Sequence, residues 1–181
     1  MKNIALHDFL DFKSLSNLIT NPSKTLVAYS VASMSEEKNE YTFTLFVHDG
    51  VRNKKVMSLK KNNQFLFEDD ETLLLVYQQN KKEEKRSKEG ERFYYRYHLP
   101  TKKLSLAYVF PFAATILKAY DTQLLLQATL TTDDHEIYAD PAFNRKDYQA
   151  RKKCMSAFNI TEKLPFYFNG KGFTGDRYTQ L

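Results

Sequence analysis

This sequence predicts an all-β fold, a partial β-propeller of antiparallel four-stranded blades. Three phrases repeat one pattern: Lys24-Thr25-Leu26-Val27-Ala28-Tyr29, Glu71-Thr72-Leu73-Leu74-Leu75-Val76 and Thr122-Gln123-Leu124-Leu125-Leu126-Gln127. Their starts are 47 and 51 residues apart (from 24 to 71 and from 71 to 122), and periods of roughly 40–50 residues with several strands each are what propeller blades produce. Each phrase follows a turn-like polar stretch: Asn21-Pro22-Ser23, Glu68-Asp69-Asp70, then Asp121. Twelve Tyr and fourteen Phe against five Gly also suit strands joined by few glycine turns. Two periods and a start are too few to close a ring, which usually takes about four or more blades, so the chain reads as part of something larger.

The elements follow in order. Apolar positions Ile4, Leu6, Phe9, Leu10, Phe12, Leu15, Leu18 and Ile19 predict a short helix or capping segment within residues 4–20. Thr25 to Met34 predicts a strand, and the polar break 35–40 separates it from a second at Tyr41–Val47. That strand ends at His48-Asp49-Gly50, where Asp-Gly signals a tight turn. Lys54–Leu59 then supplies a third strand and Phe65–Phe67 a short fourth, one blade in all. The second period predicts strands at Leu73–Gln79, Glu91–Leu99, Leu104–Phe110 and Ala113–Ala119. Between the first two, the charged run Asn80–Gly90 has no apolar face to bury and predicts a solvated, mobile hairpin loop. Leu124–Leu130 opens a third blade, interrupted by an insertion over about 131–164 with a helix near Arg145–Met155. Arg177–Leu181 looks like a strand just beginning, which would leave an unpaired edge of the kind proteins avoid. The expectation is therefore a truncated propeller spanning 1–181, able to self-associate through its open blade edges.

Composition narrows the function classes. Cys154 is the sole cysteine, so no intramolecular disulfide is possible and a reducing cytoplasm is the expected home. Lys2, His7, Asp8, Asp11 and Lys13 interrupt the first twenty residues, so no secretory signal is read there. No apolar run approaches the ~20 residues that span a bilayer, and no membrane partner is expected. The net charge of +5 comes from 27 basic and 22 acidic residues. Such a balance attracts polyanions only weakly.

Several motifs resolve into ordinary structure. Gly170-Lys171-Gly172-Phe173-Thr174-Gly175 fits Gly-x-Gly-x-x-Gly, but a dinucleotide site needs a helix after it and an acidic residue ~20 positions on. Six residues remain, so a turn leading into the next blade is the reading and no cofactor is expected. His7, His48, His98 and His135 are the available bases and Cys154 the available thiol, yet nothing in the sequence brings a pair together. Asp133, Asp134, His135, Glu136 and Asp140 are acidic enough for Ca²⁺ but lack the turn glycine, so no metal is expected. Arg92-Phe93-Tyr94-Tyr95-Arg96-Tyr97 interleaves rings with cations as single-stranded nucleic-acid binders do. Without the companion motif of that class, packing against a neighbouring blade is preferred and nucleic acid is not an expected partner.

The stretch Asp8-Phe9-Leu10 to Asn17, followed by Asn21-Pro22-Ser23-Lys24-Thr25-Leu26-Val27-Ala28-Tyr29, resembles the opening of propeller domains in the prolyl oligopeptidase family of serine peptidases. The usual blade phrase there is Ser-Pro-Asp-Gly-Lys-x-(Leu/Val)-Ala-(Phe/Tyr). Here Asn21 stands for the Ser, Ser23 for the Asp, and the Gly is missing. Ser33–Tyr41 and, most specifically, Leu164-Pro165-Phe166 with Phe168-Asn169-Gly170-Lys171-Gly172-Phe173-Thr174 are similar to bacterial acylaminoacyl-peptidase and dipeptidyl-aminopeptidase relatives. The resemblance implies a non-catalytic propeller that gates peptide access to, and supports, a separate C-terminal α/β-hydrolase domain. That domain's nucleophile elbow needs Gly-x-Ser-x-Gly, and no two of the five glycines lie four apart, so no catalytic residue is assigned in this chain. In some dipeptidyl peptidases of the family a pair of glutamates holds the substrate's free amine. Glu36 and Glu37 are the matching candidates, although they lie on a polar inter-strand loop without that subfamily's flanking motif, and a solvated loop is preferred. The alternative function is an autonomous β-rich interaction module that binds protein or nucleic acid and has no peptidase activity.

Overall fold

Three antiparallel sheets succeed one another along the chain, each placing its first strand beside the first strand of the next. The structure is a computed structural model describing residues 10–37, 39–60, 63–120, 123–131, 142, 144–155, 167–168, 172–173 and 177–180. The first sheet has the order β1 (Ser14–Thr20), β2 (Val27–Ser35), β3 (Glu40–His48), β4 (Asn53–Lys60). The second has the order β5 (Phe65–Phe67), β6 (Thr72–Val76), β7 (Arg92–His98), β8 (Lys103–Phe110). In the third, β9 (Ala114–Ala119) pairs with β10 (Leu124–Thr131), and β10 with β13 (Arg177–Gln180). Between β10 and β13 lie helix α2 (Arg145–Met155) and the hairpin of β11 (Tyr167–Phe168) and β12 (Gly172–Phe173). Strands β1 and β5 touch, as do β5 and β9. First strands gathered side by side with meandering sheets radiating from them make a partial β-propeller.

The blade boundaries fall one strand earlier than the sequence predicts. Phe65–Phe67 begins the second blade instead of closing the first, and Ala114–Ala119 begins the third. The repeated phrases therefore run into the second strand of each blade, β2, β6 and β10. The missing first strand is β1, in the segment expected to be a helix or cap. The helical spacing there comes from Leu15, Leu18 and Ile19, whereas partial burial falls on Ser16 and Ile19. The cause is an irregularity in the β1–β2 register between Ser16 and Ile19, where Asn17 adopts φ 52°. Such a bulge flips the strand's phase, leaving Leu15 and Leu18 at 70% and 68% exposure. Residues 4–9 lie outside the described residues.

Packing between blades makes two cores. Ala28, Leu45 and Val47 of blade 1 meet Phe65, Phe67, Leu73, Leu75 and Tyr97 of blade 2. On the other side of blade 2, Leu74, Val76 and Tyr94 meet Ile116 of blade 3. Alternate residues of β6 thus serve opposite cores, and all five of its residues are buried. A strand covered on both faces reads as a continuous apolar run, the reason for Leu73-Leu74-Leu75-Val76.

Polar groups cross both seams. The Asn21 side chain, 2% exposed, accepts from the Thr25 and Leu26 backbone N–H at 2.9 and 2.8 Å and so shapes the β1–β2 corner. Asp69 does the same at the β5–β6 corner, accepting from Glu71 and Thr72 N–H at 2.8 and 2.7 Å. The corners are joined where Ser23 N–H donates to Asp70 Oδ1 at 2.8 Å. At the other seam the Tyr94 hydroxyl donates to the Ala114 carbonyl at 3.2 Å and accepts from Ile116 N–H at 3.0 Å.

The charged run at 80–90 is not the loop the sequence predicts but helix α1 (Lys81–Lys88). Asn80 caps it, accepting from Glu83 N–H at 2.9 Å, and Glu83 reaches back to Gln79 N–H at 2.8 Å, a reciprocal cap. Lys, Glu and Arg are good helix formers, but eight residues are too few to be helical alone. Tertiary contacts supply the rest. Tyr95 donates to the Glu83 carboxylate at 2.9 Å, Arg86 pairs with buried Glu91 at 2.6 Å, and its guanidinium lies 5.0 Å over the Phe93 ring.

Tyr94→Phe strands a buried carbonyl and a buried N–H, so a loss of about 1–3 kcal/mol in stability is expected, measured as a lower denaturation midpoint in urea. Burial and then the Glu83 carboxylate push the Tyr95 phenol from 10.0 up to about 12, and burial also raises Tyr94 and Tyr97. Folding favours the protonated phenols, so their stabilisation is complete below pH 10.0 and is lost as pH rises to about 12. Melting temperature should fall across that window, and Tyr95→Phe should flatten the fall while lowering the melting temperature at pH 7.

Candidate functional site

The predicted site residues do not converge. Glu36 and Glu37 sit at exposed positions in the β2–β3 turn. An ammonium held there would remain in water, where such an ion pair is worth about 0.2–1 kcal/mol. His48 ends β3, and its Nδ1 is buried with no hydrogen-bond partner among the described residues. His98 ends β7, with Nδ1 at 2.9 Å from Thr101 Oγ1 and Nε2 at 3.5 Å from Glu71. Cys154 is exposed on α2. His7, His135 and the acidic cluster Asp133–Asp140 lie outside the described residues, as does the glycine motif apart from Gly172 and Phe173 in β12. Among the described residues no three His, Cys, Asp or Glu side chains are grouped to hold a metal, and no helix is long and apolar enough to cross a membrane.

The interleaved aromatics of β7 are buried, and Tyr94 and Tyr97 go to opposite inter-blade cores. Arg96 is held by the Glu68 carboxylate at 2.5 and 2.6 Å and donates to Tyr108 at 2.7 Å. These rings and this cation are committed to packing, and none is presented for stacking on bases.

A cleft of about 240 Å³ opens at the seam between blades 1 and 2. Its walls come from three separated stretches: Leu26 at the start of β2, the β3–β4 hairpin, and the β7–β8 turn with Leu99 and Pro100. Val47, Val56 and Tyr97 complete an apolar floor, while Asp49, Lys54, Lys55 and Lys102 bring charge to the same cleft. The Asp49–Gly50 turn forms as the sequence predicts, with Asp49 Oδ1 accepting from Val51 and Arg52 N–H at 3.1 and 2.8 Å. Lys54 Nζ lies 2.9 Å from Asp49 Oδ2. The Lys54 ammonium, helped by those two N–H groups, holds the Asp49 carboxyl well below the usual carboxylate range. The lining contains no serine, cysteine or histidine, so it offers groups that bind rather than a nucleophile with a base. No motif announced this cleft, because its residues belong to turns that meet only when two blades pack. The glutamate pair follows the far end of nine-residue β2, about 32–37 Å from Leu26 at the rise of an extended strand.

The sequence matches no family model and no curated protein. Solved structures do match the fold. An acylaminoacyl peptidase from Pyrococcus horikoshii is similar over 91% of this chain and 22% of its own, with a TM-score of 0.58 and 17% identity. An acylaminoacyl peptidase in complex with Z-Gly-Gly-Phe-chloromethyl ketone is similar over 95% of this chain and 23% of its own, with a TM-score of 0.60 and 17% identity. At that identity the likeness is one of fold, and the chain spans less than a quarter of either peptidase.

Proposed function

We propose that this chain is the N-terminal propeller region of a cytoplasmic serine peptidase of the prolyl oligopeptidase family, gating peptide access to a separate hydrolase domain and supporting that domain. The observation that carries the reading is the fold likeness to two acylaminoacyl peptidases over 91% and 95% of the chain. The blade phrases and the Leu164–Thr174 stretch point to the same family from sequence. Two seams filled by buried side chains and crossed by hydrogen bonds make the blades stiff, and a steric gate needs stiffness more than chemistry. In this reading the catalytic serine, histidine and aspartate belong to the hydrolase domain, and Glu36 and Glu37 at the β2–β3 turn remain the candidates for recognising a peptide amine. Strand β13 has β10 as its one sheet neighbour among the described residues, and in this reading a further strand of the propeller would pair with its other edge.

In native cells, the polypeptide carrying this sequence should be several-fold heavier than 21.3 kDa and should label with a fluorophosphonate. The isolated 181 residues should release no p-nitroaniline from acylaminoacyl anilides. A native 21.3 kDa product that does not label would replace the gating role with that of an interaction module.

A further inference from the structure

We infer that the cleft between blades 1 and 2 is a binding site for a small apolar carboxylate. Its volume, about 240 Å³, is below the ~300–1,000 Å³ that takes a drug-sized ligand. One aromatic or branched aliphatic body fits against Leu26, Val47, Val56 and Leu99.

The charge at the cleft selects the rest of the ligand. Asp49 stays ionised and neutralises Lys54 at 2.9 Å. Lys55 and Lys102 have no ion-pair partner among the described residues, so two uncompensated cations border an apolar floor. Tyr97 is 9% exposed and lines the same cleft, and its hydroxyl has no hydrogen-bond partner among the described residues. A phenol is protonated at neutral pH and so can donate there, and burial raises this one further. A cationic ligand would be repelled, and a neutral apolar one would gain nothing from the two exposed ammoniums or the phenol. A carboxylate is the ligand group that both ammoniums and the phenol favour, through charge-assisted bonds at the mouth of the cleft. Blades 1 and 2 alone form the cleft, so the site exists with or without a hydrolase domain.

Two sources share this chemistry, a free arylalkyl acid and the C-terminal residue of a peptide. The test is NMR titration of the methyl-labelled 181-residue chain with 4-phenylbutyrate and N-acetylated Ala-Ala-Phe, each beside its neutral carboxamide. An acid should shift the methyls of Leu26, Val47, Val56 and Leu99 with a Kd on the order of 1 mM, the affinity a ligand of this size reaches. The amides should bind about tenfold more weakly. The Lys55→Gln/Lys102→Gln double variant and Tyr97→Phe should each weaken acid binding and leave amide binding unchanged. Methyl spectra unaltered away from the cleft would verify that each variant folds. Added salt should weaken the acids alone. Tighter binding by 4-phenylbutyrate assigns a free acid, and tighter binding by Ala-Ala-Phe assigns a peptide terminus. Equal shifts by acid and amide, or no shift by either acid at about ten times that concentration, would overturn the proposal.

Discussion

Everything in this structure follows from the need to cover both faces of β6. The strand is five residues long and buried throughout, with Leu73 and Leu75 directed to one core and Leu74 and Val76 to the other. Each buried leucine is stabilised by roughly 1.5–3 kcal/mol relative to exposure, but only if a sheet lies on each side. Blade 2 is consequently stable where it is because blades 1 and 3 flank it. The same requirement brings β1, β5 and β9 side by side, since sheets stacked face to face with a regular twist converge on their first strands.

Hydrogen bonds set the register of that stack. Apolar faces are not directional and would tolerate some sliding of blade over blade. Asn21, Asp69 and Asp70 tie the corners of blades 1 and 2, and the Tyr94 hydroxyl clamps β7 to the beginning of β9. Asn21 and Tyr94 are buried, where an unmade bond is expensive. The seams therefore specify one arrangement rather than merely favouring contact.

The cleft and the helix both arise at the margins of this packing. Where the corner of blade 1 and the β7–β8 turn diverge, the apolar core runs out before the surface closes, and lysines from unrelated turns meet over it. Helix α1 forms at another margin, because Tyr95 and Phe93, buried on β7, offer partners to Glu83 and Arg86. Neither feature has an apolar pattern of its own.

Much of the architecture was legible in the residues. The spacing of the three phrases, the Asp49-Gly50 turn, the helix at Arg145–Met155 and the continuous Leu73–Val76 run are local signals, and local signals survive into the fold. Three features were not legible, each for a nonlocal reason. The bulge at Asn17 left Leu15 and Leu18 exposed, so the helical spacing of Leu15, Leu18 and Ile19 disguised the first strand of a blade, which displaced every blade boundary by one strand. The charged run at 80–90 became helical through partners on β7 that no window along the run contains. The cleft assembled from Leu26, the β3–β4 hairpin and the Leu99–Lys102 turn, which are distant in sequence. The sequence by itself determined strand content, repeat and order, because those depend on backbone preference and the alternation of side chains. Only the tertiary structure decided where blades begin and which charges face one another, because both depend on which surfaces are left to pack after each sheet has formed.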